Sequence, residues 1–472
     1  MYFNSLDYLL FLALVVAGFW LLARTQLLRL SFLLLASCAF YMAWNPTYIV
    51  LILGSAVLDY CVGLGLGKVS DPRKRRYLLL LSLCGNLGLL GVFKYYNFFN
   101  EAAADTLALA GVHITPARLD VLLPVGISFY TFQTLSYSID VYRRRMEPTR
   151  NFVQFALFVT FFPQLVAGPI VRAGELLPQL PRVPRLTSAQ VGQGLFLIAT
   201  GMVKKVALAD FVAVNLVDRV FEDPGAYTAA EVLMGLYGYT LQIYCDFSGY
   251  TDVARGSGML MGFELPENFD RPYQAKSPAE FWRRWHMTLS AWLRDYLYFP
   301  LGGSRGTPAR AYFNLFLTMF LIGLWHGAAW TFVIYGLIQA FAVVIHRLIY
   351  KRFGPPASDQ PMWKAALKVL GTMHLVVLSR IFFRAVDLHN ARDVMEQLAS
   401  GRFGVGHIPA SVWAVLVFGY VSHYTPRSWF EGLNQRFVSL PGAAQATVLA
   451  AVSAGLMLVV SEDVVPYIYF QF

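Results

Sequence analysis

Apolar runs of close to twenty residues recur along the chain, separated by short blocks of basic and turn-forming residues. They predict helices over about 7 to 23, 29 to 45, 48 to 66, 77 to 97 and 121 to 141, and later over 228 to 246, 364 to 383, 410 to 424 and 443 to 460. Each is near the ~20 residues that cross a ~30 Å hydrocarbon core. With the stretches between these runs, the pattern predicts about ten to twelve membrane segments in an all-α polytopic fold. No internal repeat and no soluble domain is visible. Residues 1–472 therefore read as one membrane-embedded domain, with N-terminal spans in 1–150, a core carrying the candidate chemistry in 151–350 and C-terminal spans in 351–472. The first run lacks the basic flank and small-residue cleavage site of a signal peptide, so it is expected to stay as a helix.

Charge between the runs sets a direction. Arg24 and Arg29 follow the first run, Lys68, Arg73, Lys74, Arg75 and Arg76 the third, and Arg143, Arg144 and Arg145 the fifth, whereas the alternate loops are poor in basic residues, with Arg118 near the fifth span. Lys- and Arg-rich loops stay in the cytoplasm, which puts the N-terminus outside. The parity breaks at 152–171, which has Arg143 to Arg150 before it and Arg172, Arg182 and Arg185 after it. A single crossing cannot have both flanks cytoplasmic. This run contains Pro163, Gly168 and Pro169 in FFPQLVAGPI, and broken backbone at membrane depth survives only inside protein or around a watery cavity. A re-entrant hairpin is expected, with a kinked span as the alternative. An amphipathic region near 190–221 follows, interrupted by Lys204 and Lys205.

Composition agrees with a bilayer as solvent. Of 472 residues, 57% are hydrophobic, 15% aromatic and 14% charged, against about 25% charged in an average soluble domain. A net charge of +10 would suit nucleic acid, but the basic residues stand in blocks beside apolar runs. That is a topology signal, so the lipid bilayer is the expected partner and nucleic acid is not. Cys38, Cys61, Cys84 and Cys245 lie in or beside apolar segments without CxxC spacing. They are expected to be packing residues, and no metal site is expected.

Candidate chemistry falls in two stretches. The first is 246–311, the most polar, aromatic and basic part of the chain. Ser277-Pro278-Ala279-Glu280 fits a capping box with Pro at the first helical position, which predicts a helix start. The helix is expected to run to Phe299, before Pro300, Gly302 and Gly303, for about 33 Å. Phe281, Trp285, Leu289, Trp292 and Tyr296 would form one stripe on it, and Trp282, His286, Leu289 and Leu293 a neighbouring one. Arg283, Arg284 and Arg294 suggest an interfacial position on the cytoplasmic side. Lys276, Arg283, Arg284 and Arg294 are candidates to hold an anionic donor such as the phosphates of coenzyme A. Asp270, Glu280 and Asp295 could instead neutralise these cations as structural pairs.

The second stretch is 312–345, which holds Gly323, Trp325, His326, Gly327 and Trp330 in an apolar run. Arg305 and Arg310 precede it and Arg347, Lys351 and Arg352 follow, so both ends are expected in the cytoplasm and His326 near the bend of a hairpin. The imidazole then lies about 21 Å of helix from Tyr312, deep in the bilayer. A polar residue at that depth is costly and calls for a reason. A helix-to-helix hydrogen bond is the ordinary one. Gly323, Gly327 and Ala328, however, allow a backbone or ligand to approach closely, and Trp325 and Trp330 can wall a cavity. Imidazole also suits acyl transfer as base or nucleophile near neutral pH. His113, His389 and His407 read as loop residues, His346 as a helix-end residue, and His374 and His423 as structural. Gly63, Gly65 and Gly67 read as close helix packing, since no strand-turn-helix context surrounds them.

These two stretches also carry a resemblance to a known family. FWRRWHMTLSAWLRDYLYFPLGG at 281–303 followed by GLWHGAAWTFVIYG at 323–336 is similar to the membrane-bound O-acyltransferases. QIYCDFSGYTDVARG, ENFDRPY, LPVGISFYTFQTLSY, FFPQLVAGPI and the terminal PYIYFQF resemble its bacterial branch, which includes the alginate O-acetyltransferase membrane subunit and the teichoic acid D-alanyl transfer protein. The resemblance covers the whole chain and is densest from 121 to 345. It implies a ring of tilted helices with re-entrant and interfacial helices around a thin central channel, His326 as the family histidine, His286 as a second one, and an acyl thioester on the cytoplasmic side.

The expected activity is that of an O-acyltransferase in which His326 acts as base, or as a transient acyl carrier, and His286 orients the donor or moves a proton. Asn268, Asp270, Arg271, Tyr273, Lys276, Arg283, Arg284, Trp285, Arg294, Asp295, Tyr296 and Trp325 would serve the donor, with acetyl-CoA as the expected acyl source and no bound cofactor. An acyl carrier protein is the alternative donor. The acceptor would be a periplasmic acetyltransferase partner or an exported polysaccharide such as alginate or cellulose, within an exopolysaccharide secretion machinery. D-alanyl transfer to a teichoic acid, a transporter and a scaffolding subunit are the rival readings, although transporters often show the paired repeats that this chain lacks.

Overall fold

The computed structural model describes residues 1–354, 361–459 and 465–468. Residue 460, at the end of the last expected span, and residues 469–472 of the PYIYFQF segment lie outside them. Regular structure among the described residues is helical. The chain divides into two compact units, Met1–Leu186 with Ser257–Leu265, and Thr187–Gly256 with Pro266–Gln471.

The first unit contains α1 (Leu6–Leu21), α2 (Gln26–Met42), α3 (Ile49–Lys68), α4 (Pro72–Leu90), α5 (Tyr96–Leu109), α6 (Ile127–Tyr142), α7 (Phe152–Thr160) and the single turn α8 (Ala173–Leu176). Asp71 caps α4 by accepting from the Lys74 amide, with Pro72 preorganised at the first position. A π-helical turn, Gly91–Tyr95, leads from α4 into α5. α6 is buried on nearly every side. It has a polar interior to match: Ser138 of α6 and Ser82 of α4 donate to Asp59 of α3, and Asn86 Nδ2 donates to its other oxygen at 2.6 Å. Donors on neighbouring helices thus satisfy a carboxyl group in an apolar span. Gly63, Gly65 and Gly67 face Tyr137, Leu78 and Pro148 at distances that leave little or no room for a side chain, which is the close packing expected of them.

α7 has nine residues, about 14 Å, too short to cross a bilayer. The chain then runs irregularly and buried from Phe161 to Val171, and Gln164 Nε2 turns back to the Phe158 carbonyl at 2.8 Å. Protein therefore surrounds the broken backbone, as a re-entrant segment requires.

The second unit begins with α9 (Ser188–Met202), capped by a Thr187–Gln190 box, and continues through two π-helical stretches, Val203–Asp210 and Ala213–Val217, into α10 (Asp218–Glu222). Then come α11 (Ala229–Leu260), whose last turn counts with the first unit, α12 (Pro278–Arg284), α13 (Met287–Leu293), α14 (Pro308–His326), α15 (Trp330–Phe353), α16 (Met362–Arg384), α17 (Leu388–Ala399), α18 (Ala410–Tyr424), α19 (Arg427–Ser439) and α20 (Gly442–Met457). A Cβ on Gly201 would meet the Gly249 carbonyl oxygen at 2.6 Å, so the start of the π-helical stretch lies directly on α11. This approach brings Lys204 within 2.6 Å of Asp252 and Lys205 within 2.7 Å of both Asp210 and Asp246. The two lysines expected to break an amphipathic face are instead internal cations, paired as buried charges must be.

Four helical stretches among the described residues are long and apolar enough to cross a membrane: Pro46–Lys68, Pro72–Leu109, Trp330–Phe353 and Met362–Arg384. Leu6–Leu21, Gln26–Met42, Ala410–Tyr424 and Gly442–Met457 are shorter apolar helices. The protein is multi-pass.

Candidate active site

The expected continuous helix from Ser277 to Phe299 does not form. It starts as predicted, with Ser277 Oγ accepting from the Glu280 amide at 3.2 Å, but Glu280 reaches the Lys276 amide at 2.9 Å rather than that of Ser277. The helix stops after α12. Trp285 is extended and His286 is left-handed with φ 43°, after which α13 restarts and passes into a π-helical turn, Arg294–Tyr298.

The break has a physical source eighteen residues back. The Asn268 carbonyl accepts from the Met287 amide at 3.0 Å, and Asn268 Oδ1 accepts from the Thr288 amide at 3.2 Å and the Thr288 hydroxyl at 2.9 Å. The Asp270 amide donates to the Arg284 carbonyl at 2.9 Å. Residues 268–270 thereby take up backbone groups that an unbroken helix would pair internally. They compensate for a left-handed non-glycine residue, which costs about 1–2 kcal/mol. Strained residues of this kind concentrate at functional sites.

His286 is fully buried, and its Nδ1 lies 3.2 Å from Asn268 Oδ1. Because a backbone amide also donates to that atom, it must be the carbonyl oxygen of the Asn268 side chain. Nδ1 of His286 therefore carries the proton and Nε2 is the basic nitrogen of the neutral ring.

His326 is the last residue of α14 and is 2% exposed. Gly327 is extended and α15 begins at Trp330, so the histidine does sit at the bend of the expected hairpin. Its ring centre lies 5.0 Å from that of Phe383 and 6.1 Å from that of Tyr335. Trp325 packs against both imidazoles, 5.1 Å from His326 and 5.6 Å from His286. Phe247 packs edge-on against His286 at 4.7 Å. Gly323 serves helix packing here: a Cβ on it would lie 2.3 Å from Gly336 Cα of α15. Trp330, expected to wall the cavity with Trp325, is 49% exposed and does not.

Of the residues expected to serve a donor, Asn268, Trp285 and Trp325 gather around the histidines. Tyr273 is buried and anchored, donating its hydroxyl to the Thr240 carbonyl at 2.6 Å and its amide to His423 Nε2 at 3.2 Å, which makes His423 structural. The cations are largely engaged. Arg284 bonds Glu280 at 2.9 Å and Asp270 at 3.3 Å, Arg294 bonds Asp295 at 2.7 Å, and left-handed Arg271 donates to the Thr425 carbonyl. Burial alone would raise the Glu280 carboxyl, but the Lys276 amide and Arg284 hold it below its usual value. Lys276 and Arg283 have exposed side chains, and Tyr296 packs on Trp292 at 5.0 Å.

Other expectations need correcting. His389 lies on α17, bonded to Asp393 at 2.9 Å, rather than in a loop, and His346 is inside α15 rather than at its end. Cys245 is buried, but Cys61 and Cys84 are exposed. Sequence reasoning also passes over α15 and α16 as builders of the site. Gln339 accepts from Trp282 Nε1 at 3.1 Å and donates to Ser379 at 3.0 Å, tying α12, α15 and α16 together, and Arg380 is buried beside Trp285. The available signal is a glutamine and an arginine inside apolar runs.

The model of the membrane-bound O-acyltransferase family matches residues 143–373. A probable alginate O-acetylase of Pseudomonas aeruginosa is 38% identical over 96% of this chain and 85% of its own. A peptidoglycan O-acetyltransferase of Helicobacter pylori is 36% identical over 82% and 77%. A teichoic acid D-alanyltransferase of Bacillus subtilis is 27% identical over 56% and 70%. With two buried histidines gathered around Trp325 in a multi-pass helical chain, and this likeness over most of its length, the protein belongs to the membrane-bound O-acyltransferase family.

Proposed function

We propose that the protein takes an acetyl group from acetyl-CoA on the cytoplasmic side and passes it to a hydroxyl presented from the other side, for O-acetylation of an exported polysaccharide. The observation that carries this reading is that two buried imidazoles pack against the same ring, Trp325. His326 acts as general base: it takes the proton of the acceptor hydroxyl as the new C–O bond forms at the thioester carbonyl. The C–S bond then breaks and the thiolate leaves with that proton. His286, its tautomer set by Asn268, faces the same tryptophan and orients the donor. Only the small acyl group passes the centre, so the charged nucleotide never has to cross hydrocarbon.

Acetyl is favoured over D-alanyl because relatives named for acetylation align at 36–38% identity over most of this chain, against 27% over 56% for the D-alanyltransferase. A periplasmic acetyltransferase, working with the polysaccharide secretion machinery, is the acceptor partner that fits this division of labour. The test is His326→Ala at normal protein level in membranes supplied with labelled acetyl-CoA and the partner proteins. A loss of at least about 100-fold in polysaccharide labelling is expected, and undiminished labelling sinks the assignment. Label incorporated only from a carrier charged with D-alanine would redirect the donor.

A further inference from the structure

Arg380 lies within an apolar helix, is 1% exposed, and has no part in the chemistry described so far. Its guanidinium carbon sits 4.9 Å from the Trp285 ring centre, 5.0 Å from that of Phe383 and 5.9 Å from that of Tyr335, with Nη1 3.5 Å from the Tyr335 hydroxyl. All three rings belong to the histidine site. Trp285 immediately precedes the left-handed His286, and Phe383 and Tyr335 are the rings against which His326 lies. The α12–α13 break, α15 and α16 therefore converge on one planar cation.

An arginine is an expensive way to fill space in a membrane interior. Apolar residues of similar volume usually fill such a space at no loss of stability. What the guanidinium offers is a flat, charged plate that stacks on aromatic faces where an ammonium group cannot, with attractions of about 2 kcal/mol once desolvated. We infer that Arg380 is a positioning residue of the acyl-transfer site: it fixes Trp285 relative to Phe383 and Tyr335, so that His286 and His326 face one reacting group. The inference rests on the proposed acyl transfer. Misplacing a reacting group by about 1 Å costs about 100-fold in rate, which sets the size of the expected effect.

The experiment compares wild type, Arg380→Met and Arg380→Lys as full-length protein in inverted membrane vesicles carrying the polysaccharide machinery. It measures label incorporated from acetyl-CoA as maximal rate per folded molecule and as KM for acetyl-CoA, with folded protein counted by gel filtration. Arg380→Met is expected to lower the maximal rate about 100-fold with KM within about threefold. Arg380→Lys, which keeps the charge but not the plate, is expected to recover about tenfold of that. Wild-type rate per folded molecule in Arg380→Met, a change confined to KM, or Arg380→Lys no faster than Arg380→Met overturns the inference. If Arg380→Met is not recovered folded, Arg380→Lys decides alone, and a wild-type maximal rate in it overturns the positioning role. A wild-type protein that incorporates nothing from acetyl-CoA overturns the functional reading instead, whatever the variants do.

Discussion

Asn268 illustrates how one small polar residue determines the chemistry of another. Its side-chain oxygen receives His286 Nδ1, the Thr288 amide and the Thr288 hydroxyl together, and its own carbonyl receives the Met287 amide. Asn268→Leu removes the acceptor while keeping a similar volume, leaving buried donors unsatisfied at about 1–3 kcal/mol. We expect it to lower acyl transfer at least about tenfold, whereas Asn268→Asp, which still accepts, should retain more activity than the leucine variant. Transfer rates per folded molecule in the two variants decide this, and equal rates would count against the orienting role. At this scale His326 is legible in the sequence, because a polar residue stands out within apolar neighbours. The orienting bond of His286 is not, since its partner lies eighteen positions away and is fixed only by the returning chain.

The helical elements are legible where local signals rule. The Ser277 cap starts an element and the bend after His326 ends one where the residues say they should, whereas α4, capped by Asp71, starts at Pro72, ahead of the expected 77. The run from Ser277 to Phe299 misleads because nothing local forbids a helix there; hydrogen bonds from 268–270 divide it. The α14–α15 hairpin depends on contact between backbones at Gly323 and Gly336. A methyl group at Gly323 would point at Gly336 Cα from 2.3 Å, and backbone cannot move aside as a flexible side chain can. Gly323→Ala should therefore lower the thermal midpoint in detergent and reduce transfer, through overpacking of about 1–3 kcal/mol. Gly88→Ala is the control, because no atom lies within 4 Å of its added Cβ and the helix gains from losing a glycine. If the two variants melt alike, the close approach is not what holds the hairpin.

For the molecule as a whole, bonds that the sequence does not display bring basic loops of the first unit together. Arg75 donates to the carbonyls of Leu66 and Val69 at the end of α3 and to those of Val141 and Tyr142 at the end of α6, so the basic blocks after the third and fifth spans meet on one face of the first unit. Arg29 likewise joins the Ala23 carbonyl to those of Leu180 and Arg182, bringing the basic flank of the first span to the basic stretch after the re-entrant segment. These are the loops that the positive-inside rule assigns to the cytoplasm. Between them, α4 with its π turn and α5 covers 38 residues, about 57 Å and well beyond one hydrocarbon core, and leads to the exposed loop at His113. Ser70 and His113 should then lie on opposite sides of the membrane. Cys61 and Cys84 are exposed, so the test needs a background with all four cysteines replaced. In intact cells permeabilised only at the outer membrane, a membrane-impermeant maleimide should label His113→Cys and leave Ser70→Cys untouched until the inner membrane is opened. Labelling of Ser70→Cys first would invert the protein and place the basic loops, and the donor side with them, outside. Labelling of both at once would show that α4 does not cross.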